Sequence, residues 1–276
     1  MRTPAANAEL ALLVEVAATP KPGNVDRHRD LPDLRFEHFL AGAVGARPGL
    51  ERAAEGAPVG DAFEEAVAGM SRQSGGNTQF GCLLLLVPLV SAAADDDLTP
   101  EGVDRVAEST TVADAAAFYR AFEHVDVAVS DPPDDADGLD VRRGSDAIPT
   151  LRARELTLRD VLALNTDDGN AREWTSGFER TFAAAEAIRA EEGPLADRAA
   201  RAFLRLLATE PDSLVAVRHG DETAREVSER ASAVVGDLRA AEDLADRFVD
   251  EGVNPGTTAD ITSAALFVAL ERGVEV

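Results

Sequence analysis

The segment from Thr19 to Asp30 concentrates groups that could bind a phosphorylated ligand. Its Lys21 is the only lysine of the chain and lies between two prolines, next to Gly23. The prolines stiffen the backbone and the glycine lets it bend or approach a ligand closely, so this ammonium would lie on a rigid loop. A compact ammonium held in this way suits a phosphate group. The other interpretation is a polar turn after a helix, because charged turns are common.

Carboxylate side chains accompany this loop. Asp26 and Arg27 follow the lysine within six residues, so acidic and basic groups can meet there. Glu15 lies near the end of an amphipathic helix predicted over residues 5–18. The apolar repeat that predicts this helix consists of Leu10, Leu13, Val14 and Ala17. Glu15 borders this apolar face and is interpreted either as ordinary helix surface or as a carboxylate directed inward.

A second polar turn contains Gly75, Gly76, Asn77 and Thr78 and precedes a strongly apolar segment. The glycines end the preceding helix, and Asn77 or Thr78 can cap the next one, which extends to about Ala94. A helix N-terminus behind a glycine pair offers free backbone N–H groups and the positive end of the helix dipole to an anion. The turn is therefore either a nucleotide-binding element or a plain N-cap.

A third turn places three side-chain oxygen donors close together, at Asp167, Asp168 and Asn170. Mg²⁺ is usually bound by one or two such carboxylates together with phosphate oxygens. The same residues also suit helix capping, with Asn170 before a helix and the aspartates near its positive end. The sequence fits a metal site at Asp167 and Asp168 and a capping motif equally well.

A fourth turn, Asn254 to Gly256, precedes the last apolar helix. Asp260 lies in the first turn of this helix, beside its buried stripe. The helix dipole favours a carboxylate at this position. In a concave site this carboxylate could hold a metal ion or a sugar hydroxyl.

The remaining patterns predict an all-α protein, because apolar runs have helical length and strand patterns are scarce. We expect a short helix from Phe36 to Val44 and two or three helices over residues 194–250, whose charged faces suggest no chemistry. A single helix is expected to follow Asn170 and to carry a core stripe of aromatic residues. Residues 126–150, rich in proline, glycine and aspartate, are either a linker or a functional lid.

The net charge of −24, from 51 acidic and 27 basic residues, argues against nucleic acid or an anionic membrane as a partner. We interpret the acidity as adaptation of the whole surface to strong salt, where screening is short-ranged. Cys82 is the only cysteine, so neither an intrachain disulfide nor a cysteine metal cluster is expected. The longest apolar run, residues 82–90, is too short to span a bilayer, and no signal segment is recognised at the N-terminus, so a cytoplasmic location is expected.

Taken in order, these four polar turns resemble the triphosphoribosyl-dephospho-CoA synthase family of the CitG and MdcB type. The resemblance rests on Glu15 with Thr19–Gly23 and Val25–Arg27, on Gly75–Thr78 with Gly81, on Asp167–Asn170, and on Asn254–Asp260. The Pro-Lys-Pro-Gly and Asn-Pro-Gly segments are the most specific, and the ordered set covers nearly the whole chain. The resemblance implies one all-helical domain over residues 1–276 with polar loops that converge on one pocket.

The resemblance also implies a reaction. This family transfers the triphosphoribosyl part of ATP to a ribose hydroxyl of dephospho-CoA and releases adenine. Glu15, Asp26 and Asp260 are then the catalytic candidates, one of which accepts the hydroxyl proton while carboxylates stabilise an oxocarbenium-like centre. The nucleotide-binding candidates are Lys21, Arg27, Gly76, Asn77, Thr78, Asn170 and Asn254, and Mg²⁺ is assigned to Asp167 and Asp168.

The chain departs from the family pattern at Gln79 and Phe80, where the family usually has His-Lys. The departure removes a basic and a titratable group and leaves the acceptor open between dephospho-CoA and a related molecule. Two other functions stay open: an ATP-dependent phosphotransferase or nucleotide hydrolase, and a non-catalytic helical ligand-binding protein. The oligomeric state also stays open, a homodimer included.

Overall fold

The computed structural model describes residues 2–132 and 136–276 and consists of helices joined by turns. The fifteen α-helices are α1 (Pro4–Ala17), α2 (Phe36–Ala54), α3 (Val59–Met70), α4 (Phe80–Ala94), α5 (Pro100–Glu108), α6 (Val112–Ala121), α7 (Ile148–Arg154), α8 (Leu158–Ala163), α9 (Gly169–Thr175), α10 (Glu179–Ala190), α11 (Leu195–Thr209), α12 (Ser213–His219), α13 (Asp221–Ser232), α14 (Leu238–Asp250) and α15 (Gly256–Glu271). Two short 3₁₀ helices, Asp137–Leu139 and Val141–Ala147, precede α7. No strand occurs within the described ranges, so the predicted all-α class is confirmed.

Two helices that are apolar on nearly every side, α4 and α15, form the centre of the main core. They pack against each other and against α1, and α10 and α11 cover α15 from another side. Because a helix surrounded by other helices has no solvent face, it needs no polar stripe. This explains why the polar residues of α15 before its last residue, Glu271, are confined to short threonine and serine side chains and to Asp260.

The buried face of α1 differs from the predicted one. The predicted repeat Leu10, Leu13 and Val14 is only half-buried, whereas Ala8, Ala11, Leu12 and Glu15 are fully buried. Small alanine side chains let α1 approach α2, α4 and α15 closely, so the alanine face rather than the leucine face is directed inward. This rotation carries Glu15 into the protein, with 1% of its surface exposed.

Glycines allow the close packing of α2 against α3. A Cβ atom on Gly69 would overlap the carbonyl oxygen of Gly45, and one on Gly49 would lie 2.5 Å from that of Ala62. Helix α2 is longer than predicted and continues through Pro48 to Ala54. Proline disfavours a helix interior, but the turns beyond Pro48 bury Gly49, Leu50 and Ala53 against neighbouring helices, and this burial maintains the helix.

Two further predictions of helix number were wrong. The helix expected after Asn170 is divided into α9 and α10, because Gly177 and Phe178 both have positive φ angles, 66° and 60°. Its aromatic residues nevertheless lie in the core, as predicted for Trp174 and Phe178, both with 0% exposure. The region 194–250 contains four helices, α11 to α14, since short turns at Asp212, Gly220 and residues 233–237 interrupt the pattern. Within the described residues, every helix is too short or too polar to cross a membrane.

Candidate active site

A cavity of about 260 Å³ opens where all four predicted polar segments meet. Its polar side is lined by Glu15, Asn24, Asn77, Thr78, Asp168, Asn170, Asn254 and Asp260. These residues come from four segments that are far apart in the chain, so only the packing of α1, α4, α9 and α15 brings them together. The predicted convergence of the polar loops on one pocket is confirmed.

Asp260 lies at the centre of the polar side. Its carboxylate accepts hydrogen bonds from Asn170 Nδ2 at 2.8 Å and from Cys82 Sγ at 3.1 Å. Burial raises the pKa of Asp260 from its ordinary value of 3.8 to about 7, although both donors oppose this shift. Gly81 makes the arrangement possible, since a Cβ atom there would overlap the Asp260 carboxylate. A carboxylate that titrates near neutral pH can exchange a proton with a substrate.

Glu15 and Lys21 form a buried ion pair below the cavity. The Lys21 ammonium donates hydrogen bonds to Glu15 Oε1 and, at 3.1 Å, to Asn24 Oδ1. Glu15 lines the cavity, whereas Lys21 is 0% exposed and is not part of the lining. Burial raises the pKa of Glu15, and the Lys21 charge opposes this shift. Asn24 Nδ2 donates in turn to Asn254 Oδ1 at 2.9 Å, which connects the first polar segment to the fourth.

Two residues of the Lys21 loop lie away from the cavity. The Asp26 carboxylate is fully buried and accepts hydrogen bonds from Thr19 Oγ1 at 2.8 Å, from the His28 amide at 2.8 Å, and from Arg29 Nη1 at 3.1 Å. It therefore fixes the shape of the loop. Although the sequence made Asp26 a catalytic candidate, it does not line the cavity. Arg27 is exposed and also lies outside the lining.

The segment Gly76–Thr78 has one residue outside the cavity and two in its wall. Asn77 Oδ1 accepts a hydrogen bond from the Phe80 amide, the first of α4, at 3.1 Å. The N-cap position itself is occupied by Gln79 and not by the predicted Asn77 or Thr78. Asn77 and Thr78 line the cavity, and Gly76 lies outside the lining with a φ angle of 72°. Gln79 is 1% exposed, and both of its amide atoms lack a hydrogen-bond partner among the described residues.

The acidic turn before α9 is a capping motif in the structure. Asp168 Oδ1 accepts hydrogen bonds from the amides of Asn170 at 3.0 Å and Ala171 at 2.9 Å. Asp168 lines the cavity and burial raises its pKa, whereas Asp167 is exposed and lies outside the lining. The described residues contain no cluster of three or more metal-binding side chains. A divalent cation in this cavity would therefore need ligands from a bound phosphate in addition to Asp168.

The opposite side of the cavity is apolar. Phe80 belongs to an aromatic cluster there, with ring centroids 5.1 Å from Phe63 and 4.8 Å from Phe122. Part of this wall comes from the segment expected to be a linker or a lid, through Val127, Val129 and other residues between 126 and 141. This segment is fastened by hydrogen bonds such as that from Asn165 Nδ2 to Ser130 Oγ at 2.8 Å. The part of the expected lid at residues 133–135 lies outside the described residues.

Comparison with known proteins identifies the family. The family model for ATP:dephospho-CoA triphosphoribosyl transferase, CitG, matches residues 1–275, which is nearly the entire chain. The chain belongs to the CitG family. The predicted resemblance and the predicted enzyme class, a nucleotide-dependent triphosphoribosyl transferase, are thereby confirmed. A search among functionally curated proteins gave no significant match.

The fold of this CitG-family chain is also similar to that of a solved structure. A crystal structure of a candidate triphosphoribosyl-dephospho-CoA synthase from Archaeoglobus fulgidus aligns with a TM-score of 0.73 and 26% sequence identity. The alignment covers 87% of this chain and 100% of that protein. The similarity therefore extends over most of the chain and is not confined to a local motif.

Several lining residues of this CitG-family site were not predicted from the sequence. Cys82 was interpreted only as an isolated cysteine, yet its thiol donates to Asp260. Its position one residue after Gly81, facing into α15, provided no chemical signal. Helix α12 was assigned to a region without chemistry, yet Leu214, Val217 and Arg218 all line the cavity. Their spacing of three and four residues was a detectable signal of a shared helix face.

Proposed function

We propose that this protein binds Mg-ATP in the cavity and transfers its triphosphoribosyl group to a ribose hydroxyl of dephospho-CoA, releasing adenine. The observation that carries the proposal is the cavity itself, in which the four polar segments bring the Glu15 and Asp260 carboxylates to one surface in a chain of the CitG family. In this reaction the acceptor oxygen forms a bond to C1′ of the ATP ribose while the bond from C1′ to adenine breaks. The bonding electrons leave with adenine, which takes up a proton.

Asp260 is proposed as the general base. It is central in the cavity wall, and its pKa of about 7 matches the proton affinity that a base needs near neutral pH. Asn170 Nδ2 and Cys82 Sγ hold the carboxylate in a fixed orientation, so that an acceptor hydroxyl can approach one oxygen. Glu15 is proposed to stabilise the positive charge that develops at the ribose as adenine departs.

Lys21 is proposed to act through Glu15 and not through a direct contact with the triphosphate. Its ammonium is buried and donates to Glu15 and Asn24, and it does not line the cavity. Lys21 therefore affects the cavity through Glu15, which does line it. This pairing favours the ionised form of Glu15, which is the form that can stabilise an oxocarbenium-like centre. The sequence-based prediction of a direct phosphate contact is revised accordingly.

The triphosphate is proposed to enter as its magnesium complex. Asp168 lies in the wall, and a single carboxylate with phosphate oxygens is a usual environment for Mg²⁺. When bound, the cation neutralises phosphate charge that the acidic cavity would otherwise repel. Asn77, Thr78, Asn170 and Asn254 line the same cavity and are proposed to contact the nucleotide through their amide and hydroxyl groups. Since Asp167, Arg27 and Gly76 lie outside the lining, we assign them no direct contact.

The experiment that tests the proposal is a product assay in molar KCl with Mg-ATP and dephospho-CoA. We expect free adenine and an acceptor whose mass has increased by one triphosphoribosyl group. Release of ADP, AMP or inorganic phosphate without adenine would instead indicate a phosphotransferase or a hydrolase. Absence of any product with wild type, together with no binding of Mg-ATP, would favour a non-catalytic protein.

Three variants assign the roles within this assay. Asp260→Asn is expected to lower kcat by about 10²–10⁴-fold, the contribution of a general base. Glu15→Gln is expected to lower kcat with little change in the KM for ATP, because its charge matters mainly in the transition state. Asp33→Asn is the control, since Asp33 is exposed and lies outside the cavity lining.

A further inference from the structure

Helix α12 presents one side-chain stripe to the opening of the cavity. Val217 and Arg218 lie three and four residues after Leu214, and all three belong to the lining. The helix is attached to the beginning of α15, because Ser213 Oγ and Thr257 Oγ1 lie 2.9 Å apart. The stripe is therefore held in a fixed position relative to Asp260, which lies one turn further along α15.

This stripe is unusually apolar for an exposed surface. Val217 is 42% exposed, and so is Leu164, which lines the cavity from the end of α8. Five large apolar side chains are at least 41% exposed among the described residues, and these two are lining residues of the same cavity. Because they are both part of the lining and open to solvent, they lie at its mouth. Exposed apolar side chains at the mouth of a polar site indicate contact with an apolar part of a ligand.

The cavity is too small to hold both substrates, ATP and dephospho-CoA, so part of one substrate must extend beyond its mouth. A volume of about 260 Å³ is slightly below the roughly 300–1,000 Å³ of a site for one drug-sized ligand. It cannot enclose ATP together with a second nucleotide of similar size. If the two reacting riboses meet at Asp260, the far end of the acceptor must leave the cavity and pass over its rim.

The charges of the lining indicate which ligand group passes there. Arg218 is the one basic side chain in the described lining, whereas six carboxylates line the same cavity. Three of these carboxylates, Glu15, Asp168 and Asp260, lie on the polar side, and the other three, Asp126, Asp131 and Asp140, belong to the segment 126–141 of the opposite wall. Within the described lining, an anionic group therefore finds a protein cation only at Arg218, which is exposed at the rim. Dephospho-CoA has a diphosphate next to its reacting ribose, followed by the long pantetheine arm with its two methyl groups. This order of anion and then apolar chain matches Arg218 with its neighbours Val217 and Leu164.

We propose that the α12 stripe and Leu164 form the acceptor subsite, with Arg218 binding the diphosphate and Val217 and Leu164 contacting the pantetheine arm. The proposal rests on the proposed function, since it takes dephospho-CoA as the acceptor. It assigns acceptor recognition to the rim and donor recognition to the interior of the cavity.

The test measures KM values for both substrates in steady-state adenine release. We expect Arg218→Gln to raise the KM for dephospho-CoA about tenfold, as expected for loss of a hydrogen bond to a charged group. Val217→Ser should raise the same KM about threefold, because a partly exposed valine contributes less than a buried one. For both variants the KM for ATP and the kcat should stay within about twofold of wild type, since no transition-state contact is removed.

Matched controls are available on the neighbouring surface. Arg225→Gln replaces an exposed arginine of α13, and Val235→Ser replaces a valine that is 41% exposed and lies outside the cavity. Neither should change either KM. Thermal melting of all four variants identifies any loss of folding, and a binding titration with dephospho-CoA alone replaces the kinetic test for a variant that is folded but too slow to assay.

The outcomes separate this proposal from the proposed function. Adenine release by wild type with an unchanged KM for dephospho-CoA in Arg218→Gln and Val217→Ser would overturn the acceptor subsite and leave the reaction intact. A raised KM for ATP instead would assign the rim to the donor and also overturn it. If wild type releases no adenine, the titration decides: binding of dephospho-CoA that both variants weaken retains the subsite, and absence of binding refutes it.

Discussion

Replacement of Asp260 by asparagine should make the protein more stable at alkaline pH while it abolishes most of the activity. Asp260 is buried, and burial raises its pKa from an ordinary 3.8 to about 7. Between these two values the folded protein binds a proton at this site that the unfolded chain does not bind. Wild type therefore loses stability as the pH rises from about 4 to about 7, where the carboxylate must ionise inside the protein.

The size of this effect follows from the difference between the two pKa values. At pH 5 the proton at Asp260 stabilises the folded state by about 2–3 kcal/mol relative to the fully ionised protein, and at pH 8 by about zero. Asp260→Asn has no proton to lose, and its amide oxygen can still accept from Asn170 Nδ2. The free energy of unfolding of the variant relative to wild type should thus increase by about 2–3 kcal/mol between pH 5 and pH 8.

Chemical denaturation of both proteins at pH 5 and pH 8, in the same molar KCl, measures this change. Asp33→Asn, at an exposed position, serves as the control and should follow wild type at both pH values. Equal differences between Asp260→Asn and wild type at the two pH values would refute the raised pKa. The wild-type kcat/KM should rise with pH and level off above about 7, since a general base acts in its ionised form.

Three further predictions concern folding and the shape of the site. The melting temperature should be clearly higher in molar KCl than in dilute buffer, because the charge of −24 repels itself over long distances when screening is weak; equal melting temperatures would contradict this. Gly81→Ala should lower kcat at least tenfold in a folded protein, because the new methyl group overlaps the Asp260 carboxylate; wild-type kcat would show that the site relaxes. Lys21→Arg should destabilise the protein by about 3–5 kcal/mol, the usual effect of disrupting a buried ion pair, and denaturation midpoints close to wild type would show that the site accommodates a guanidinium.

The sequence was sufficient to predict the helical class and the meeting of the polar turns, because glycine, proline and capping residues mark both. It was insufficient for the buried face of α1. The residues Leu10 and Leu13 gave the stronger hydrophobic signal, yet the closer contacts are made by alanines. Packing geometry, not hydrophobicity, decides which face lies against α2, α4 and α15, and a single sequence contains no direct measure of this geometry.

The same limit applies to the site. The sequence predicted Asp167 and Asp168 either as metal ligands or as carboxylates near the positive end of a helix capped by Asn170. In the structure Asp168 is itself the N-cap, Asn170 lies within α9, and Asp167 is exposed. Two side chains adjacent in sequence therefore have different environments, which depend on where α9 begins. The spacing of Leu214, Val217 and Arg218 indicates a shared helix face, but nothing in a charged, solvent-facing pattern indicates that this face borders a cavity. The position of Arg218 at the cavity follows only from the attachment of α12 to α15.

The position of the single lysine has a physical reason that the structure makes clear. Of the 27 lysine and arginine residues, Lys21 is the one that is completely buried together with its charge partner. An ammonium has three donors, and Glu15 and Asn24 accept two of them in this space. A guanidinium has five donors in a planar fork, so it would need more acceptors and more volume than these two residues provide. We infer that the space and the acceptors around Glu15 favour an ammonium over a guanidinium, and that this requirement retains Lys21 below the cavity.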